Sequence, residues 1–240
     1  MEKPVLFEII EHTAIITLNR PERRNAISED LLRYLYDSMD RVTQDPQIKT
    51  AILTGAGKSF CAGLDLEKLT TDNLEDPRGD GKDFVALKRE CPKPVIGAIN
   101  GHAITGGFEL ALNCDFLIAS TNAKFKDTHA HIGIHPGWGM SQLLQRAVGL
   151  RRAKQISFAA EFISADQAFA FGLVNEVVEP ERLIPRALEL SAAIAKANPE
   201  MLLTMKNLIE AGSLLDTEKA LALEREGLYR FLQKPNALEI

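Results

Sequence analysis

The run PVIGAINGHAITGGFELALNCD, residues 94–115, constrains the fold more than any other part of the chain. Residues 95–99 are apolar or glycine without interruption and are bounded by Pro94 and Gly101, as in a buried strand. A glycine turn and a helix from about Gly107 follow directly. Strand, turn and helix in such close order belong to an α/β core.

Other segments extend this reading. Two β-rich runs, 6–10 and 14–18, flank a polar turn at Glu11 and His12 and predict a hairpin. Ser28 is suited to cap a helix whose apolar positions Leu31, Leu32, Leu35, Met39 and Val42 keep one face. Further strands are expected at 51–54, 116–119 and 173–178, and helices at 84–90, 140–147 and 152–159, with Ser164 capping another. Residues 70–83 are almost wholly polar, with proline and two glycines, and read as a mobile surface loop. From Pro180 onward the pattern is helical: Leu183, Ala187, Leu190 and Ile194 share a face, and Pro180 and Pro199 suit first-turn positions. The expected organisation is a core over 1–179 and a helical region over 180–240.

Charge excludes one class of function. The chain carries 28 basic and 33 acidic residues, a formal balance of −5, which is not the basic footprint of a nucleic-acid binder. No apolar run approaches membrane-spanning length, and the N-terminus lacks the pattern of a signal peptide. Cys61, Cys91 and Cys114 are odd in number and far apart, as expected of reduced thiols in a cytoplasmic protein.

Three segments carry chemistry. In GAGKSFCAGLDL, residues 55–66, the letters GKS invite a phosphate-loop reading, but Ile52 stands where that motif needs its first glycine. Cys61 beside Phe60 reads as a packed thiol. The turn at Ala62 and Gly63 is better suited to leave a backbone N–H facing a ligand. In the segment around Gly106 and Gly107, the mouth of a helix offers unpaired N–H groups and a positive dipole end. Glu109 lies in that first turn, where an acid commonly compensates the dipole, yet its apolar neighbours also suit a general base or acid. The third segment, FKDTHAHIGIHPGWG (125–139), holds three of the five histidines. On a strand His129 and His131 share a face and suit one metal, with Asp127 nearby, but Pro136 and Gly137 break the segment and no third partner is evident. No metal is expected.

Taken together, NRPERRNAIS (19–28), SFCAGLDL (59–66), KPVIGAINGHAITGGFELALNCD (93–115) and GLVNEVV (172–178) resemble the crotonase (enoyl-CoA hydratase/isomerase) superfamily across nearly the whole chain. The resemblance implies an α/β fold with a crotonase-type ββα spiral core and a C-terminal helical trimerisation region, assembled as a trimer or hexamer. It implies an acyl-CoA thioester as partner and no separate cofactor, since coenzyme A enters with the substrate. The N–H groups of Leu64 and Gly106 would form an oxyanion hole for the enolate oxygen. Arg23 and Arg24 would meet the CoA phosphates, and Ala26, Ala62, Asp65 and Leu66 would surround adenine and pantetheine. Thr128, Pro136 and Gly137 would complete the substrate site, with Trp138 a candidate wall of the acyl pocket.

Hydratases of that family use two glutamates, one in each of two segments. Glu109 matches the first, whereas His129 holds the position of the second. An imidazole titrates near neutrality and is a reasonable acid/base partner for Glu109. His131 and His135 read as bystanders. The implied activity is addition of water to a 2-enoyl-CoA by Glu109 and His129. The alternatives are a delta-isomerase using Glu109 alone and a non-catalytic acyl-CoA binder. A dehalogenase is disfavoured because Gly137 offers no carboxylate.

Overall fold

The computed structural model describes residues 3–67, 74 and 76–235. Part of the expected loop, residues 70–73 and 75, lies outside the described residues. The chain divides into two compact units, Met1–Ala195 and Lys196–Ile240.

The first unit is built from two sheets. The larger has the order β1 (Val5–Ile10), β2 (Thr13–Leu18), β3 (Thr50–Gly55), β5 (Val95–Ile99), β7 (Phe116–Ser120), β10 (Glu176–Val178). β1 and β2 form the expected antiparallel hairpin, and every later pairing is parallel. The smaller sheet has the order β4 (Ser59–Cys61), β6 (His102–Ile104), β8 (Lys124–Lys126), β9 (Ile163–Ser164). Each of the pairs β3/β4, β5/β6 and β7/β8 therefore gives one strand to each sheet before the chain turns into helix. That is a ββα spiral.

Burial explains the sequence of the large sheet. One face joins the main core with Leu31, Leu35, Met39 and Phe108. On the other, Ile15, Ile52, Ile96 and Ile118 pack with Leu183 and Ala187. A parallel sheet covered on both faces needs continuous apolar strands rather than alternating ones, and 95–99 is fully buried.

α1 (Glu29–Gln44) starts where Ser28 Oγ accepts from Leu31 N at 3.3 Å, and its five expected core positions are all buried. α2 (Phe84–Glu90) and α3 (Gly106–Leu112) also begin at or within one residue of expectation. α4 (His129–Ile132) is a single helical turn, followed by α5 (Met140–Val148) and α6 (Leu150–Ala159). Ser164 caps α7 (Ala165–Ala170) with a reciprocal bond to Gln167.

Two expectations are corrected. Leu173 and Val174 are buried but not in a strand; Gly172 at φ 79° ends α7 and Leu173 N bonds back to Ala168 O at 2.9 Å. Only 176–178 joins the sheet. The first unit also extends past residue 179, because α8 (Leu183–Ile194) covers the second face of the large sheet. Its Ser191 hydroxyl meets Thr13 Oγ1 and Thr50 Oγ1 at the starts of β2 and β3.

The second unit contains α9 (Pro199–Gly212) and α10 (Thr217–Leu232), capped by the Asn198 and Asp216 side chains. Pro199 takes the first-turn position expected of it. Neither helix has a buried residue, and Met201, Met205, Leu221, Leu228 and Phe231 line an apolar groove along the pair. Among the described residues no helix is long and apolar enough to cross a membrane.

Candidate active site

Three loops at the ends of the parallel strands meet around the start of α3. The first is the NRPERRNAIS segment. Asn25, fully buried at φ 55°, donates through Nδ2 to Ala56 O, Ser59 O and Phe60 O at 2.7–3.1 Å and accepts from Arg20 N at 2.8 Å. Asparagine tolerates this left-handed backbone better than most residues, and its amide replaces the backbone pairing the turn gives up. Arg20 donates to Ala26 O and pairs with Asp65 Oδ2 at 2.9 Å. Nothing in the sequence pattern singles out Asn25 or Arg20 from the neighbouring polar residues.

This framework leaves Arg23 and Arg24 exposed, Arg23 near Glu67 at 3.6 Å. Ala62 N donates to Arg24 O at 3.0 Å, so Arg23, Arg24, Ala26, Ala62, Asp65 and exposed Leu66 do come together. The Asp65 carboxylate, however, is occupied by Arg20. Removing one member of a buried pair strands the other's charge, so Asp65→Ala is expected to cost about 3–5 kcal/mol of stability. Urea unfolding monitored by circular dichroism checks this; a loss below about 1 kcal/mol would mean the pair is solvated as a surface bridge is.

The second loop carries Gly63 and Leu64. Ile27 N donates to Gly63 O and Asp65 N donates to Ile27 O, both at 2.8 Å. In a parallel bridge of this kind the intervening residue turns its own N–H to the opposite side, so Leu64 N–H faces away from Ile27. The Gly106 backbone is close to this loop: a Cβ on Gly63 would come within 3.6 Å of Gly106 N. Gly106 opens α3, where N–H groups lack intrahelical acceptors. Gly107 has to be glycine, since a Cβ would stand 2.2 Å from Cys61 O. Thr105, just before, has φ 52° and ψ −111°, a strained conformation for a β-branched residue. It is held by Thr105 N to Lys126 O and by Thr128, whose N–H donates to Thr105 Oγ1 at 3.2 Å.

Glu109 points inward from this helix and is 3% exposed. Its Oε1 accepts from the backbone N–H of Trp138 at 2.9 Å and of Met140 at 3.1 Å. Asn113 Nδ2 donates to Trp138 O at 2.7 Å and secures the same loop. Pro136 and Gly137 lie immediately before these donors; Trp138 itself is buried. Oε2 of Glu109 faces His129 Nε2 at 3.5 Å, longer than an ordinary hydrogen bond.

The third loop supplies that histidine. His129 lies in a helical turn rather than a strand, so His131 does not share its face. His131 Nε2 instead meets Phe158 O at 3.0 Å and His135 Nδ1 meets Pro136 O at 2.7 Å, both exposed. His129 is buried with Nδ1 2.7 Å from Asp127 Oδ1. Burial alone would lower its pKa. The bond to Asp127, the approach of Glu109 and the charges of both carboxylates outweigh that and raise it to about 9. Asp127 is correspondingly held below the usual carboxylate range: burial opposes ionisation, but hydrogen bonds from His129 and Ser157 prevail. Burial pushes the Cys61 thiol up to about 12, which fits a packed residue rather than a nucleophile. Among the described residues no three His, Cys, Asp or Glu side chains converge as metal ligands would.

The sequence pattern does not reveal the Asp127 contact or the two backbone donors to Glu109. Asp-x-His was a visible signal, but its meaning depends on the helical turn.

The ββα spiral is shared with solved structures. An enoyl-CoA hydratase from Bacillus anthracis matches with a TM-score of 0.87 at 32% identity, over 98% of this chain and 93% of that one. One from Mycobacterium smegmatis matches with a TM-score of 0.79 at 37% identity, over 97% and 99%. The fold is that of the crotonases. Residues 8–238 match the enoyl-CoA hydratase/isomerase family, and the chain belongs to it. It is similar to the crotonyl-CoA hydratase of Syntrophomonas wolfei, 36% identical over 97% of this chain and 96% of that protein.

Proposed function

We propose that the protein hydrates 2-enoyl-CoA thioesters, with Glu109 as base and His129 as acid. The observation that carries this reading is the buried approach of His129 Nε2 to Glu109 Oε2 at 3.5 Å. Glu109 Oε2 takes a proton from water as the water oxygen bonds to C3 of the substrate. The C2=C3 π electrons shift towards the thioester, whose oxygen becomes an enolate. The imidazolium of His129 then gives its Nε2 proton to C2 and the carbonyl re-forms. Glu109 is left protonated and His129 neutral; proton transfer between them restores the starting state.

The enolate oxygen would be met by the N–H groups of Leu64 and Gly106. Loss of one such donor typically costs about 3–4 kcal/mol of barrier stabilisation. The CoA portion would cross Arg23 and Arg24, with Ala26, Ala62, Asp65 and Leu66 beside it, and Thr128, Pro136 and Gly137 towards the acyl end. The crotonyl-CoA hydratase of Syntrophomonas wolfei supports a short conjugated thioester as the substrate to try first. The apolar helices of the second unit are the surface on which assembly into a trimer or hexamer is proposed.

The test is turnover of crotonyl-CoA by the purified protein. Loss of the conjugated thioester absorbance with formation of the 3-hydroxy product is expected. Conversion of a 3-enoyl-CoA to the conjugated isomer without hydration would instead make it an isomerase working through Glu109 alone. Binding without either reaction would make it an acyl-CoA binder.

A further inference from the structure

We propose that Asp127 is a positioning residue that fixes the His129 ring with a proton on Nδ1 and Nε2 turned to the reaction; this rests on the reading of His129 as the second acid/base. One oxygen of Asp127 does two things. Oδ1 accepts from the backbone N–H of His129 at 3.0 Å and from its Nδ1 at 2.7 Å. A carboxylate can only accept, so Nδ1 is the protonated nitrogen. Holding backbone and ring from the same atom restricts the imidazole's orientation, which places Nε2 opposite Glu109.

Asp127 is itself anchored and dry. It is 2% exposed and takes a further hydrogen bond from Ser157 on α6. The groups facing the ring are Asp127 at one nitrogen and Glu109 at the other. The charged residues of the adjoining α6, Arg151, Arg152 and Lys154, are all exposed, and Arg152 stacks over Phe171 instead. His131, in the same turn, is bonded to Phe158 O. The proton on His129 is thus set by two carboxylates of different duty. Glu109 changes protonation during turnover, whereas Asp127 stays anionic and makes the buried imidazolium persist between turnovers.

Asp127→Asn tests this because it keeps the shape of the acceptor and removes its charge. The His129 ring titration, followed by NMR in the intact protein, is expected to fall by at least about one pH unit. The alkaline limb of kcat for crotonyl-CoA hydration should move down with it, leaving KM within roughly threefold. Asp127→Glu, which keeps the charge, should retain a titration nearer the wild type. If both variants lose kcat alike with unmoved titrations, Asp127 is only packing and the proposal fails. The NMR arm separates the two readings: if His129→Ala left hydration intact, the acid role of His129 would fall. The ring titration in Asp127→Asn would still decide whether Asp127 sets its proton. Should Asp127→Asn not fold, the comparison of Asp127→Glu with wild type decides: a titration lowered by more than about one unit despite the retained charge overturns the proposal.

Discussion

Glu109→Gln is expected to lower kcat for crotonyl-CoA hydration by about 10²–10⁴-fold while acyl-CoA affinity changes only a few-fold. The geometry gives the change two effects. Glu109 Oε1 is held by the Trp138 and Met140 N–H groups, which require an acceptor. The glutamine carbonyl oxygen would therefore take that side, and its NH₂ would face His129 Nε2, where an acceptor now stands. The base is lost and a donor confronts the donating face of the imidazolium, so proton supply to C2 suffers as well. Steady-state kinetics and calorimetric binding of the product thioester check the two halves separately. Turnover within about threefold of wild type would move the base elsewhere.

How much of this was legible depended on length of signal. The large sheet is legible because a strand covered on both faces is apolar along most of its length, as at 95–99 and 51–53. The small sheet was not seen: its strands are two or three residues long, too short for any period to develop. Leu173 and Val174 were misplaced for a related reason, since a brief apolar run fills a core equally well as a turn. Gly106 and Gly107 are legible as a helix mouth, and Gly106 does open α3, but the close approach of Cys61 O to Gly107 leaves no mark of its own in the sequence. Glu109 was legible as a chemical residue, but its orientation was not. The donors that orient it are backbone N–H groups, which every residue but proline carries and which leave no mark in side-chain identity. Asn25 escaped notice for the same reason: it bonds to carbonyls of a loop some thirty residues away in sequence.

His129→Ala is expected to reduce hydration by about 10²–10⁴-fold with far less effect on product affinity, because it removes the proposed proton donor to C2. The wild-type rate should fall as pH rises through about 9, where the imidazolium is lost. Stability follows the same sign. The folded value lies above the ordinary 6.5, so the contribution of the charged histidine is fully present below 6.5 and disappears as pH rises through about 9. His129→Glu would give the two-glutamate pattern that the family resemblance implies, but here Asp127 stands 2.7 Å from the ring it would replace. Three carboxyl groups would then share one buried site, and like charges oppose ionisation. The single substitution should accordingly work best at lower pH than wild type, and Asp127→Asn added to it should recover activity at neutral pH. The pH profiles of kcat for the two variants decide this. Identical profiles would mean Asp127 does not sense the group at position 129, and an alanine variant with wild-type turnover would leave Glu109 acting alone.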